Sequence, residues 1–166
     1  MRDSLLKVVS DVRQNADVHR QIVGQGLGEA GWDARAPAER IVRLSEAIAS
    51  DESPVHVLDA AGKRALWVFE AMEYCAHRYG NRAIGSYVVS LAADVDDLLS
   101  VLLLARWAGY TDAQTGHVQL DVAPLFESVE ALERAGDTMT RLLQNPVYRE
   151  HLAARGHAVD EFPAAH

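Results

Sequence analysis

Three short runs of branched and aromatic apolar residues, at residues 5–12, 84–92 and 118–126, constrain the fold of this chain most strongly. Each run has the length of a strand buried on both faces, as in parallel sheets. Each is followed by a segment in which apolar residues recur at helical spacing. Strands that alternate with helices in this way predict an α/β fold, in which helices cover a sheet of about three parallel strands.

The helix boundaries are predicted from local signals. Pro37 suits the first position of a helix that runs towards Ser50, and Asp59 suits the N-cap of a long helix that ends at Tyr79. Asp94 or Asp96 is expected to open a strongly apolar helix over residues 98–107, and Ser128 to cap the helix at residues 129–143. We therefore divide the chain into one domain, residues 1–155, and a C-terminal tail, residues 156–166.

Charge and composition narrow the range of partners. The chain has 166 residues and a formal net charge of −8, without a basic run, so neither nucleic acid nor an acidic membrane surface is an expected partner. No apolar run approaches the roughly 20 residues of a membrane span. Cys75 is the single cysteine, and the lack of an internal disulfide favours a reducing, cytoplasmic location.

Three stretches carry a family resemblance. Residues 11–14 (Asp-Val-Arg-Gln) followed by His19, residues 85–109, and residues 123–132, which include Pro-Leu-Phe-Glu, resemble successive strand ends of phosphoenolpyruvate carboxylase. The order and spacing of these stretches are similar over nearly the whole chain. The resemblance implies that the chain is part of an eight-stranded, TIM-type β/α barrel.

The same resemblance implies a partial site. Arg13 corresponds to an arginine that holds the substrate phosphate, and Glu127 to a glutamate that binds Mg²⁺ or Mn²⁺. Apart from the resemblance, Gln14 and Ser90 could add hydrogen bonds at the rim of the cavity or could be ordinary polar residues at strand ends. Active residues of parallel barrels cluster at the carboxyl ends of strands, where Arg13 and Glu127 both fall. A bidentate arginine and a hard cation on a carboxylate suit a carboxylated or enol-forming small molecule.

Other motifs of the family have no counterpart in this sequence. The Gly-Tyr-Ser-Asp segment with the second metal-binding carboxylate is not matched at residues 156–162, and the glycine- and arginine-rich loops and the catalytic histidine are also without a match. Full carboxylation by this chain alone is therefore not expected.

Each candidate residue also has a structural interpretation. Arg13 could form an ion pair with Asp11, Asp17 or Glu127, and Glu127 could instead cap the helix that begins at Ser128. His19 is expected to be a helix residue bonded to the scaffold rather than a base. Trp67 and Trp107 are expected in the core or in an interface.

Three functions remain open. The first is a small lyase or cyclase with Arg13 as anion clamp and Glu127 as metal ligand. The second is a subunit of a split phosphoenolpyruvate carboxylase, which forms oxaloacetate from phosphoenolpyruvate and bicarbonate together with other chains. The third is a non-catalytic binding or scaffold protein. The exposed edges of a narrow sheet also predict a homo-oligomer.

Overall fold

The computed structural model of the protein describes residues 14–80 and 84–157, in which helices pack on a parallel sheet. The strands are β1 Gln14–Asn15, β2 Tyr87–Ser90 and β3 Val122–Leu125. The helices are α1 Ala16–Leu27, α2 Pro37–Ala49, α3 Ala60–Tyr79, α4 Val95–Trp107, α5 Val129–Gln144 and α6 Pro146–Ala154, with a short 3-10 turn at Trp32–Ala34. The predicted α/β class and the parallel pairing are confirmed.

The sheet is built around β2. Its four residues pair in parallel with β3, from Tyr87 opposite Val122 to Ser90 opposite Leu125. The two-residue strand β1 pairs in parallel with the other side of β2 and places Asn15 opposite Ser90. The carboxyl ends of the three strands therefore lie along one edge of the sheet.

Helix α4 is the centre of the core. Every residue from Val95 to Ala105 is buried, which is the pattern of a helix surrounded by other elements rather than one with a solvent face. It packs against α1, α2 and β3. A capping box fixes its start, because the Asp94 side chain accepts a hydrogen bond from the backbone at Asp97 and the Asp97 side chain accepts one from the backbone at Asp94. Such a reciprocal pair satisfies amides of the first turn that have no partner within the helix.

The other predicted helix starts are also confirmed. Pro37 lies in the first turn of α2, and the Asp59 carboxylate accepts hydrogen bonds from the amides of Ala61 and Gly62, both at 2.9 Å. The Ser128 hydroxyl accepts a hydrogen bond from the Ala131 amide at 3.0 Å. These caps connect residues two or three positions apart, so the local sequence is sufficient to specify them.

The predicted strands at residues 84–92 and 118–126 are longer than the observed ones. The second strand ends at Ser90 because Leu91 has a φ of +55°, outside the extended region. Val118 forms an isolated antiparallel bridge with Thr111 and is not part of β3. The first predicted strand, residues 5–12, lies outside the described residues.

Two further expectations are corrected or limited by the fold. Trp67 is 68% exposed and lies on the face of α3 opposite the buried Phe69, so it is not in the core, and of its two expected locations the interface stays a prediction. Trp107 is half-buried and packs against the core, as expected.

Within the described part of the chain, no helix combines the length and apolar character needed to cross a bilayer.

Candidate active site at the carboxyl edge of the sheet

The residues predicted for the site map to the carboxyl edge of the sheet, as far as the structure describes them. Gln14 lies in β1, in register with Val89 of β2, and Ser90 is the last residue of β2 and is half-buried. Glu127 follows β3 by two residues. Arg13 lies outside the described residues, so its predicted role as an anion clamp stays a prediction.

Glu127 makes a contact that none of its sequence-based interpretations anticipated. Its side chain is exposed, and its Oε2 atom accepts a hydrogen bond from the backbone N–H of Leu91 at 3.1 Å. The helix that follows is capped by Ser128, so the alternative role of Glu127 as a helix cap is wrong. The contact joins the ends of β2 and β3 across the edge of the sheet.

Asp94 and Asp97, at the start of α4, are engaged in contacts within the scaffold. Oδ2 of Asp97 accepts hydrogen bonds from the amides of Ala93 and Asp94, at 2.8 and 3.2 Å. Asp94 accepts a hydrogen bond from the Val95 amide at 2.6 Å and pairs with Arg141 at 2.8 Å. Both carboxylates are thus occupied by the start of α4.

Glu127 is the residue at this edge that was predicted to bind a metal ion. Among residues 14–80 and 84–157, no group of three or more His, Cys, Asp or Glu side chains is arranged to hold a metal ion. A single exposed carboxylate such as Glu127 is compatible with Mg²⁺, which commonly binds one or two carboxylates, several waters and substrate oxygens.

A charge network at the start of α4, with a buried centre at Arg40 and Asp96, was not predicted from the sequence. Arg40 of α2 donates through Nε to Oδ2 of Asp96 at 2.5 Å, and both side chains are almost fully buried. Arg20 of α1 pairs with Asp17 at 2.7 Å and with Asp97 at 3.3 Å. Burial, together with the adjacent Asp97 charge, raises the pKa of Asp96. The network ties α1 and α2 to the start of α4.

His19 has the structural role expected for it. Its imidazole is fully buried, and its Nε2 atom lies 2.8 Å from the Tyr87 hydroxyl. Burial lowers the pKa of His19 to about 4, so the ring is neutral near pH 7. A buried neutral ring bonded to the first residue of β2 supports the sheet from behind rather than acting as a base at the edge.

A separate cavity of about 210 Å³ lies at the opposite end of the molecule, where α4 ends and the chain approaches β3. Arg106, His117 and His151 are among its lining residues. The Arg106 guanidinium donates to Asp51 at 2.7 and 3.1 Å and to the Gly116 carbonyl at 3.1 Å. Arg106 is therefore engaged in holding the surrounding loops together.

The sequence did not predict the contact of the Leu91 N–H with Glu127 or the charge network of Arg20, Arg40 and Asp96. The spacing of Asp94 and Asp97 is a usable signal for the capping box, since an acid three residues after an N-cap is a known pattern. No comparable signal exists for Leu91, because leucine has no preference for positive φ.

Comparison with known proteins places the chain in one family. The sequence matches the family described as phosphoenolpyruvate carboxylase over residues 5–160. A phosphoenolpyruvate carboxylase of Xanthomonas oryzae pv. oryzae (strain MAFF 311018) is 42% identical over 146 residues, which cover 88% of this chain and 16% of that protein. One from Mycobacterium avium (strain 104) is 33% identical over 155 residues, which cover 88% of this chain and 17% of that protein.

A third relative, the phosphoenolpyruvate carboxylase of Azoarcus sp. (strain BH72), is 36% identical over 155 residues and shows the same proportions, 87% of this chain against 17% of its own length. The chain thus spans about one sixth of the length of these relatives. Because the family match extends over residues 5–160, the chain belongs to the phosphoenolpyruvate carboxylase family.

Proposed function

We propose that this chain supplies part of a phosphoenolpyruvate carboxylase-type site, within a β/α barrel that other polypeptide segments complete. The observation that carries the proposal is the alignment of the carboxyl ends of β1, β2 and β3 along one edge, with Glu127 at that edge. In β/α barrels this edge is where substrates bind. The strand order supports the proposal, because each strand pairs with the next along the chain, as neighbouring strands of a β/α barrel do.

Each residue then has a defined task. Arg13, one residue before β1, holds the phosphate or carboxylate of a small substrate through paired N–H donors. Glu127 holds Mg²⁺ or Mn²⁺, and Ser90 and Gln14 add hydrogen bonds at the rim. The cation, when bound, stabilises the negative charge that develops on an enolate oxygen.

The chain is proposed to act with partners. In the split-enzyme form of the proposal, further chains contribute the second metal-binding carboxylate, the catalytic histidine and the glycine- and arginine-rich loops, and the assembly forms oxaloacetate from phosphoenolpyruvate and bicarbonate. A self-contained small lyase or cyclase gains no support from the three relatives described above, each of which is named a phosphoenolpyruvate carboxylase. A non-catalytic scaffold stays an outcome of the test below.

Ligand-dependent stabilisation tests the proposal on the chain as it is. Phosphoenolpyruvate with Mn²⁺ is added at increasing concentration, and the unfolding midpoint is followed by thermal denaturation. A ligand at about 100 times its dissociation constant stabilises a protein by roughly 2.7 kcal/mol. We expect the midpoint to rise with the two together, and the rise to disappear in Arg13→Ala and in Glu127→Gln.

Arg134→Ala is the matched control, because Arg134 is an exposed arginine on α5 whose Nε bonds only within its own helix, to the Glu130 carbonyl. That variant should keep the full response. If the rise in the unfolding midpoint is lost equally in Arg13→Ala and Arg134→Ala, it depends on the overall positive charge of the chain and not on a specific site. No response in the unmodified chain would favour the scaffold function.

A further inference from the structure

The pairing between β2 and β3 is interrupted at Leu91. In a parallel ladder, every second residue of a strand bonds to the same neighbour. The Tyr87 amide donates to the Asp121 carbonyl at 2.7 Å, so the later donors to β3 should be Val89 and then Leu91. Instead, the Ala92 amide donates to the Leu125 carbonyl at 3.2 Å. Leu91 is therefore an extra residue at the end of the ladder, just after β2, and resembles the extra residue of a β-bulge.

The backbone of Leu91 is adapted to this bulge. Its φ of +55° lies in the left-handed region, which residues with a Cβ seldom occupy and β-branched residues occupy least readily. Its side chain is 50% exposed, so core packing contributes little to holding it there. The bulge leaves the Leu91 N–H without its ladder acceptor.

Glu127 accepts the displaced N–H. The distance from the Leu91 nitrogen to Oε2 of Glu127 is 3.1 Å. No other hydrogen bond or ion pair to the Glu127 carboxylate is found among residues 14–80 and 84–157. A solvent-exposed glutamate samples many rotamers unless a neighbour restrains it, and here the restraint is a backbone amide.

We infer that Leu91 is a positioning residue for Glu127 and acts through its backbone. Its N–H holds one carboxylate oxygen, which fixes the side chain at the edge of the sheet and leaves the second oxygen for a ligand. Residues that orient a metal-binding side chain through a hydrogen bond typically change metal affinity roughly 10- to 100-fold when they are replaced. The use of that second oxygen for a cation rests on the proposed function.

Two substitutions at Leu91 separate the backbone from the side chain. Both Leu91→Gly and Leu91→Val remove the leucine, but glycine readily adopts positive φ and valine does not. Binding of Mn²⁺ to the purified chain, measured by electron paramagnetic resonance of the free ion, is expected to stay within about twofold of the original for Leu91→Gly. For Leu91→Val we expect the affinity to be about tenfold weaker. If the original chain binds Mn²⁺, equal losses in the two variants, or no loss in either, would overturn the inference.

Amide hydrogen exchange tests the same contact without a metal. Exchange at the Leu91 N–H, resolved by nuclear magnetic resonance, is expected to be about tenfold faster in Glu127→Ala, because the acceptor is gone. Glu127→Gln retains a side-chain carbonyl oxygen and should restore most of the protection. The Ala93 amide, which donates to Asp97, is the internal control and should not change.

The two experiments distinguish the inference from the proposed function. If Glu127→Ala leaves exchange at Leu91 unchanged, the positioning contact does not operate in solution and the inference fails. If exchange responds as expected while the original chain binds no Mn²⁺, the positioning role is supported and the cation role of Glu127 is wrong.

Discussion

His19 shows how burial alone sets the protonation state of a side chain. The imidazole is fully buried against Tyr87, with ring centroids 5.7 Å apart, and burial lowers its pKa from 6.5 to about 4. In the unfolded chain the same ring takes up a proton near its ordinary pKa of about 6.5. Between these two values the unfolded state binds a proton that the folded state does not, so acid favours unfolding.

Stability is therefore expected to fall as the pH is lowered from about 7 towards 4. For His19, the lowered pKa corresponds to a loss of roughly 3 kcal/mol in the free energy of unfolding at the lower end of this pH range. His19→Gln keeps a side-chain amide near Tyr87 but does not titrate, so its free energy of unfolding should fall less steeply over the same range. Urea denaturation at several pH values measures the difference.

The comparison isolates His19, because the other acid-sensitive groups are common to both proteins. His151, whose pKa burial also lowers to about 4, contributes the same slope to each. Parallel curves for the original chain and His19→Gln would contradict the role assigned to burial of this ring.

At the level of elements, the close approach of α1 and α4 depends on one glycine. A Cβ atom built at Gly26 would lie 2.4 Å from ring atoms of Trp107. The Trp107 ring has little room to retreat, because its Nε1 donates to the Glu52 carbonyl at 2.7 Å. Gly26 is thus a packing residue, although glycine inside a helix is otherwise unfavourable.

Two Gly→Ala substitutions should have opposite effects. Gly26→Ala is expected to lower the free energy of unfolding by about 1–3 kcal/mol, because overpacking outweighs the gain in helix propensity. Gly136→Ala in α5, where a Cβ would have no neighbour within 4 Å, should raise it by up to about 1 kcal/mol. Chemical denaturation of both variants provides the test. A gain at both positions would mean that Trp107 moves aside without cost.

At the level of the whole molecule, α3 presents an apolar and basic face. Trp67 and Tyr74 are each 68% exposed and lie seven residues apart, so they share one side of the helix. The exposed charged residues of this helix are basic at Lys63, Arg64 and Arg78 and acidic at Glu70, so basic residues outnumber acidic ones. On a chain whose net charge is −8, such a face is suited to contact an acidic surface of a second copy.

Sedimentation of the original chain and of variants on this face tests the predicted self-association. We expect sedimentation velocity at micromolar concentration to show a species larger than the 18.2 kDa monomer. Trp67→Ser should shift the distribution towards monomer, since exposed tryptophans often contribute strongly to interfaces. Val42→Ser on α2, where Val42 is 59% exposed, is the control and should have no effect. A monomeric original chain would contradict the prediction of a homo-oligomer.

The sequence by itself determined the alternation of strands and helices and most helix starts. Asp59 and Ser128 act as the caps they were predicted to be, and Asp94 is the cap among the two candidates for α4. The reason is that a cap bonds to an amide two or three residues away, so the whole interaction is written in one short segment. The family resemblance, carried by short strand-end motifs, was also readable from the sequence and is confirmed.

Only the tertiary structure decided where the strands end and what Glu127 contacts. The Leu91 bulge depends on the register between β2 and β3, and its N–H meets a carboxylate 36 residues further along the chain. The contact of Arg40 with Asp96 likewise joins residues 56 positions apart. Such pairs follow from the packing of whole elements, in which many weak contacts fix the register together, and no local pattern of residue types specifies them.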